Sequence, residues 1–221
     1  MKMKRKVKKK TEEQDIAKIQ NTQLIAIFIV IAIVFACVFG TWYLLQSQGK
    51  FEYAGFAFVR EKQGELVYYT TPLNSALPDG RVLHHNLILR NDPRKLSDIE
   101  INGDIQIRVD NLTYISVNPN IEGCEDNNIA LVNLGVFLKA IGAEAKSSSN
   151  NLEFAKENNI AYATCENKIS NTVVILEKSD ETKIERIGET CYKIKFKDCE
   201  VLEATEKFIM GVLAHSTGNL I

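Results

Sequence analysis

Leu24–Leu45 reads LIAIFIVIAIVFACVFGTWYLL, 22 consecutive residues without a formal charge. As a helix rising about 1.5 Å per residue it measures about 33 Å, enough to cross a bilayer's hydrocarbon core. The stretch therefore predicts a transmembrane helix over 23–46. A cleaved signal peptide has a shorter apolar core, usually about 7–15 residues, followed by a small-x-small site. Here Thr41, Trp42, Tyr43, Leu44 and Leu45 stand where such a site would be. Trp42 and Tyr43 suit a membrane–water interface, ring in the acyl region and polar tip among headgroups. Val34-Phe35-Ala36-Cys37 loosely matches a lipobox, but Phe35 is too bulky for it. Cys37 then reads as a small apolar residue facing lipid or a partner helix.

Outward from this run the charge is asymmetric. Residues 1–22 carry eight Lys/Arg against Glu12, Glu13 and Asp15, a net of +5, whereas 46–221 carry 19 basic and 25 acidic groups, a net of −6. Basic residues flanking a span stay cytoplasmic. The expected topology is a single pass through the cell membrane: a basic cytoplasmic tail over 1–22, and an extracytoplasmic domain over 47–221. The lipid bilayer is one expected partner and a membrane or envelope protein the other. The basic tail needs no nucleic acid to explain it, and none is expected as a partner. Gln46-Ser47-Gln48-Gly49-Lys50 is a short linker that would hold the domain close to the membrane.

About 170 residues suffice for one domain with a buried core. Glu52–Arg60, Glu65–Thr71 and Val82–Arg90 are rich in aromatic and β-branched residues and read as strands, with Glu61–Gly64 as a hairpin turn. Asp104–Asp110 and Thr113–Val117 make a second pair. Asn127–Ile141 is the clearest helix, stopped by Gly142, and its apolar residues run nearly all the way round. That pattern predicts burial on more than one side. Ser147–Asn151 reads as a flexible loop. Strands follow at Ile160–Thr164, Thr172–Leu176, Lys183–Ile187 and Cys191–Phe196, then a closing amphipathic helix, Val201–Ala214, with Glu203 and Lys207 as an exposed i,i+4 pair. The fold class is α+β: one N-terminal transmembrane helix, then a mainly antiparallel sheet domain with two packed helices.

Cys124, Cys165, Cys191 and Cys199 form an even set in a domain expected outside, which suggests disulfides. Of three connectivities we favour Cys191–Cys199 with Cys124–Cys165. A four-cysteine zinc site would normally use a close Cys-x-x-Cys pair, and there is none. His84 and His85 are adjacent in a strand and so point to opposite faces. His215 suits a helix end. No metal and no cofactor is expected. The chain has no G-x-S-x-G, H-E-x-x-H, S-x-x-K or phosphate-cradling glycine loop, so catalytic residues remain unassigned. In Arg90-Asn91-Asp92-Pro93-Arg94-Lys95, Arg90 and Arg94 bracket a helix start and are anion-binding candidates. The structural alternative has Asp92 capping the turn and one arginine pairing with a carboxylate. Asn111-Leu112-Thr113 matches a glycosylation sequon.

Leu89-Arg90-Asn91-Asp92-Pro93-Arg94, together with Cys191-Tyr192, Cys199-Glu200 and Ala204-Thr205-Glu206-Lys207-Phe208, resembles a group of archaeal single-span membrane proteins. Phe51-Glu52-Tyr53-Ala54-Gly55-Phe56 is similar to their opening strand. The resemblance covers most of 23–215. It implies an exported domain with structural cysteines, and no activity or cofactor.

The favoured functional expectation is a non-enzymatic, membrane-anchored extracytoplasmic module that binds or scaffolds another protein of the cell envelope. The alternatives are an exported hydrolase, which needs converging carboxylates, and a small-anion or solute receptor centred on Arg90 and Arg94.

Overall fold

The computed structural model describes residues 28–42, 49–76, 80, 82–109, 111–121 and 123–218. The chain divides into two compact units, Met1–Gly49 and Lys50–Ile221. In the first, residues 28–42 form a helix, α1, whose side chains are all exposed. Thr41 donates its hydroxyl back to the carbonyls of Cys37 and Val38, so even its one hydroxyl is satisfied inside the helix. Fifteen residues span only about 22 Å, and among the described residues no helix is long and apolar enough to cross a membrane. The expected transmembrane helix is corrected on that finding. The flanks of the uncharged run, Tyr43 and the basic tail lie outside the described residues.

The second unit holds two sheets. β1 (Lys50–Tyr53), β2 (Phe56–Gln63), β3 (Leu66–Ala76) and β4 (Val82–Leu89) form an antiparallel meander in that order. The sequence predicts one strand over Glu52–Arg60. The chain instead turns at Ala54-Gly55, both with positive φ (53° and 81°), and splits it into the β1–β2 hairpin. The larger sheet contains β5 (Glu100–Asn102), β6 (Leu112–Val117), β7 (Glu144–Ser149), β8 (Ala161–Tyr162), β9 (Thr172–Lys178), β10 (Lys183–Arg186) and β11 (Cys191–Phe196), in the order β5-β10-β11-β9-β6-β7-β8. Only β10–β11 is antiparallel among its strand pairs. The domain is thus α+β, as expected, with an antiparallel meander and a larger sheet whose other strand pairs are parallel. Adjacent pieces of sequence can close hairpins, but β6, β7 and β8 are joined through α2 (Asn127–Ala140) and α3 (Leu152–Glu157), and helical crossovers return the chain parallel.

Ser147-Ser148-Ser149, read as loop, is the core of β7. Ser148 and Ser149 donate their hydroxyls to the carbonyls of Ile115 and Val117 on β6, which satisfies buried polar atoms in a strand of low intrinsic propensity. Conversely, 104–109 does not pair as a strand. Tyr192 Oη accepts from Gln106 N at 3.0 Å and donates to Gln106 O at 2.7 Å, tying this segment over the sheet while Ile105 enters the core.

One apolar cluster joins the meander's inner face (Phe58, Leu73, Leu87, Leu89), the helices α2 and α4 (Val201–Thr217), and the helix-facing side of the larger sheet (Ile115, Val174, Leu176, Ile194, Phe196). The helices are thus the middle of three layers. This explains why α4, read as amphipathic, is buried all round from Val201 to Ala214 save for Glu203. Lys207, expected on its wet face with Glu203, is 1% exposed. On the far side of the larger sheet, Glu177, Lys193, Lys195, Glu185 and Lys183 make a ladder of alternating charges, with Lys195 Nζ 2.7 Å from Glu185 and Lys193 Nζ 3.3 Å from Glu177.

All four cysteines outside α1 are bonded, as Cys124–Cys199 and Cys165–Cys191, which corrects the pairing favoured from sequence. Cys191 and Cys199 stand at opposite ends of β11, whose six residues separate them by about 20 Å, far beyond a disulfide's reach. Cys191 instead faces the solvated side of the sheet and meets Cys165 in the loop after β8. Cys124–Cys199 ties together the entrances of α2 and α4.

Candidate interaction site

The arginines bracketing Pro93 do not converge. Asp92 caps the 3₁₀ turn Pro93–Asp98 by accepting from Arg94 N at 3.1 Å, and its carboxylate takes Arg94 Nε at 2.9 Å and Nη2 at 2.6 Å. This bidentate pair holds the Asp92 carboxyl below the usual aspartate range. Arg94 also lies over the Phe51 ring, 3.9 Å from its centroid, and Phe51 meets Tyr69 edge-on. Arg90 lies over Tyr68 instead, at 5.3 Å. Tyr68 and Tyr69 are consecutive in β3 and face opposite ways, so the two guanidinium groups sit on opposite faces of the meander. The geometry gives the anion-receptor alternative no shared cavity.

The backbone of the same corner is held by a residue that sequence reading placed only in a motif. Glu206, 0% exposed on α4, accepts from Arg90 N at 2.6 Å, from Asn91 N at 2.9 Å and from Asn91 Nδ2 at 3.0 Å. Burial pushes its carboxyl up to about 7; the three donors act against that rise, and the charge of Glu203 adds to it. Lys207 next to it has its amine pulled down by burial, opposed by Asp98. These groups fasten α4 to the corner after β4, which is a structural role.

The remaining sequence candidates are scattered. His84 and His85 sit on opposite faces of β4, and His84 Nδ1 lies 2.7 Å from Asn74 Oδ1 across the β3–β4 register. Among the described residues no group of three or more His, Cys, Asp or Glu could hold a metal. Asn111 donates Nδ2 to Ser170 O at 2.8 Å, and Thr113 of the same sequon is wholly buried in β6. Trp42 is exposed at the end of α1. Doubly wound sheets commonly open a ligand crevice where the strand order reverses, here at the carboxyl ends of β6 and β9. In this fold those ends are tied: Asn118 N donates to Leu176 O at 3.1 Å, the 3₁₀ turn Pro119–Ile121 packs on β9, and Cys124–Cys199 closes the loop beyond.

A concave surface flanks α2. The helix ends in a Schellman motif: Ala143 N donates to Leu138 O, Gly142 N donates to Lys139 O, and Gly142 has φ +86°. Ala130, Leu134, Phe137 and Leu138 face the core. Val132 and Val136, one turn apart, are 62% and 55% exposed. The expectation of burial on several sides is thus met on the inner side only, leaving an apolar stripe in the open.

Two grooves run beside this stripe. One, of about 500 Å³, has Leu131, Val132, Gly135 and Lys139 of α2 as its wall and Ile115, Ala145 and Ser147 of the sheet as its floor. It exists because α3 has six residues and β8 only two, too short to cover the first half of β7, where Ala145 and Ser147 remain exposed. Gly135 keeps it wide, since a side chain there would project toward Ile115. The other groove, of about 240 Å³, lies between α2 (Asn133, Val136, Phe137, Ala140) and β4 (Asn86, Leu87, Ile88). A helix apolar on every side is stable where every side is covered. α2 lacks a cover of roughly one helix's width.

No protein family model matches the chain, and no curated protein or solved structure shows significant similarity to it.

Proposed function

We propose that residues 50–221 form a protein-binding module of an oxidising, extracytoplasmic compartment, docking a partner's apolar helix against α2 and the bare half of β7. The carrying observation is the exposed Val132–Val136 stripe on a helix whose opposite side is core, beside a groove of about 500 Å³. Helix-in-groove recognition uses this geometry: anchors one turn apart enter an apolar slot, and charged residues at the rim set the direction. Lys139, Glu144 and Lys146 border the groove, a rim of mixed charge that opposite charges on the partner helix would match. The two disulfides, closing 75- and 26-residue separations, support the compartment. They also make the scaffold rigid, which lowers the ordering cost of binding.

The test is a photo-crosslinking amino acid placed at Val132 or Val136 of the full chain in its native cells, with Lys193 on the charged sheet face as control. One discrete heterologous adduct at 132 and 136, absent at 193 and lost when Val132→Asp is added to the 136 probe, is the expected result. Equal or absent labelling at all three positions would refute docking at α2.

A further inference from the structure

Among the described residues the two sheets end in four edge strands, three of them blunted, and the half of β7 that β8 leaves bare carries Glu144 and Lys146. β5 has three residues, β8 has two, and β1 has four and begins with Lys50. Short or charged edges of this kind keep a sheet from pairing with another chain. β4 is different. Its eight residues, Val82-Leu83-His84-His85-Asn86-Leu87-Ile88-Leu89, contain no Lys, Arg, Asp, Glu or Pro, and among the described residues the strand pairs only with β3. Val82 and Ile88 on its outer face are 52% and 48% exposed. Beside its free edge lies the 240 Å³ groove to Val136.

We propose that β4 is a self-pairing edge: two copies of this chain join β4 to β4 antiparallel about a two-fold axis at Asn86, turning two four-stranded meanders into one eight-stranded sheet. The occupant is a second copy because the strand is complementary to itself. With the axis perpendicular to the sheet, each face stays on its own side, so opposed residues must share a face. The Asn86 register meets this condition. It sets Asn86 against Asn86, His85 against Leu87, His84 against Ile88 and Leu83 against Leu89. No formal charge meets its like, and like charges directly opposite are what destabilise such pairs. The alternative register about His85 would oppose two imidazoles. Pairing about Asn86 satisfies the open backbone groups of the edge and covers Ile88 and the mouth of the smaller groove. It leaves the larger groove, on the other side of α2, free for the partner of the proposed function. Val136 borders the smaller groove and Val132 the larger one, so Val132 is the position that tells the two proposals apart.

The experiment uses the full chain purified in mild detergent, in a Cys37→Ala background that removes the one unpaired cysteine. Asn86→Cys, at the axis, should form an intermolecular disulfide on mild oxidation, and Lys193→Cys should not. Asn86→Lys opposes two cations at the axis and should weaken the dimer seen by light scattering by 10-fold or more, with far-UV circular dichroism unchanged and a melting temperature equal to that of the wild type diluted to monomer. Val132→Asp should leave the dimer intact, which separates this surface from the α2 groove. A folded chain that stays monomeric at every concentration overturns the proposal. So does a dimer that neither cross-links through residue 86 nor responds to Asn86→Lys, which places the association elsewhere. If Asn86→Lys fails to fold, His84→Lys, exposed on the same strand, sets a cation against Ile88 of the other copy and should likewise weaken the dimer.

Discussion

Glycine at two helical positions has opposite meanings. At Gly135 a Cβ would meet only Ile115 Cδ1, at an ordinary 3.9 Å. At Gly211 on α4 it would lie 2.7 Å from Ile105 Cδ1 and 3.0 Å from Ile101 Cδ1. Gly135→Ala is therefore expected to stabilise the domain by about 0.5–1 kcal/mol through helix propensity while narrowing the docking groove. Gly211→Ala should destabilise it by about 1–3 kcal/mol through overpacking. Paired urea melts give both signs, and equal signs would contradict the packing described. Glu206 makes a prediction in pH. Its folded carboxyl titrates near 7, against 4.5 for the free side chain. Between those values the native state holds a proton that the unfolded chain has released, so stability falls as pH rises from about 4.5 to about 7 and is level above. The span is on the order of 3 kcal/mol. Glu206→Gln removes that slope and leaves an amide N–H₂ facing the donors of Arg90 and Asn91, costing about 1–3 kcal/mol at pH 5. A wild-type stability that is flat across this window would show that the carboxylate stays charged.

At the scale of elements, the disulfides act on different parts of the fold. Cys124–Cys199 joins the entrances of the two middle-layer helices across a separation of 75 residues. Its removal by Cys124→Ser with Cys199→Ser should cost about 2–4 kcal/mol, chiefly through entropy returned to the unfolded chain. Cys165–Cys191 closes 26 residues over the small cluster of Tyr114, Ala163, Val173 and Ile175. Its loss should fall mainly on that cluster, read as faster hydrogen exchange in 163–171 with α2 and α4 still protected. Equal deprotection of the helices would mean the two bridges act through one cooperative unit. β7 shows how an element can hide. Ser147-Ser148-Ser149 has the composition of a linker, and only the acceptors waiting on β6, at Ile115 and Val117, make it a strand. Asp104–Asp110 errs the other way: its alternation is that of a strand, but Tyr192 takes the hydrogen bonds of Gln106 that a ladder would have used.

At the scale of the molecule, three layers explain what the helices display. α4 is covered by the larger sheet, by α2 and by the turn after β4, and it buries even Glu206 and Lys207. α2 lies at the margin of the middle layer, where α3 and β8 are too short to complete the cover, and its stripe stays open. Val132→Asp should leave folding within about 0.5 kcal/mol of wild type, since the residue is exposed, while abolishing the photo-crosslinked adduct at 136. Loss of stability comparable to a core substitution would place Val132 inside the domain and remove the site.

The sequence by itself determined the local events. Gly142 stops α2, Asp92 and Pro93 open a turn, alternation along Tyr192–Phe196 marks a strand with one dry face, and four cysteines announce bridges. Each follows from backbone dihedrals, capping or side-chain period within a few residues. Only the tertiary structure decided which strands are neighbours, that the larger sheet is mostly parallel, which cysteines meet, and that a helix apolar all round keeps one side in the open. Those outcomes depend on contacts between residues tens of positions apart, and a linear pattern carries no record of which apolar face will find the other.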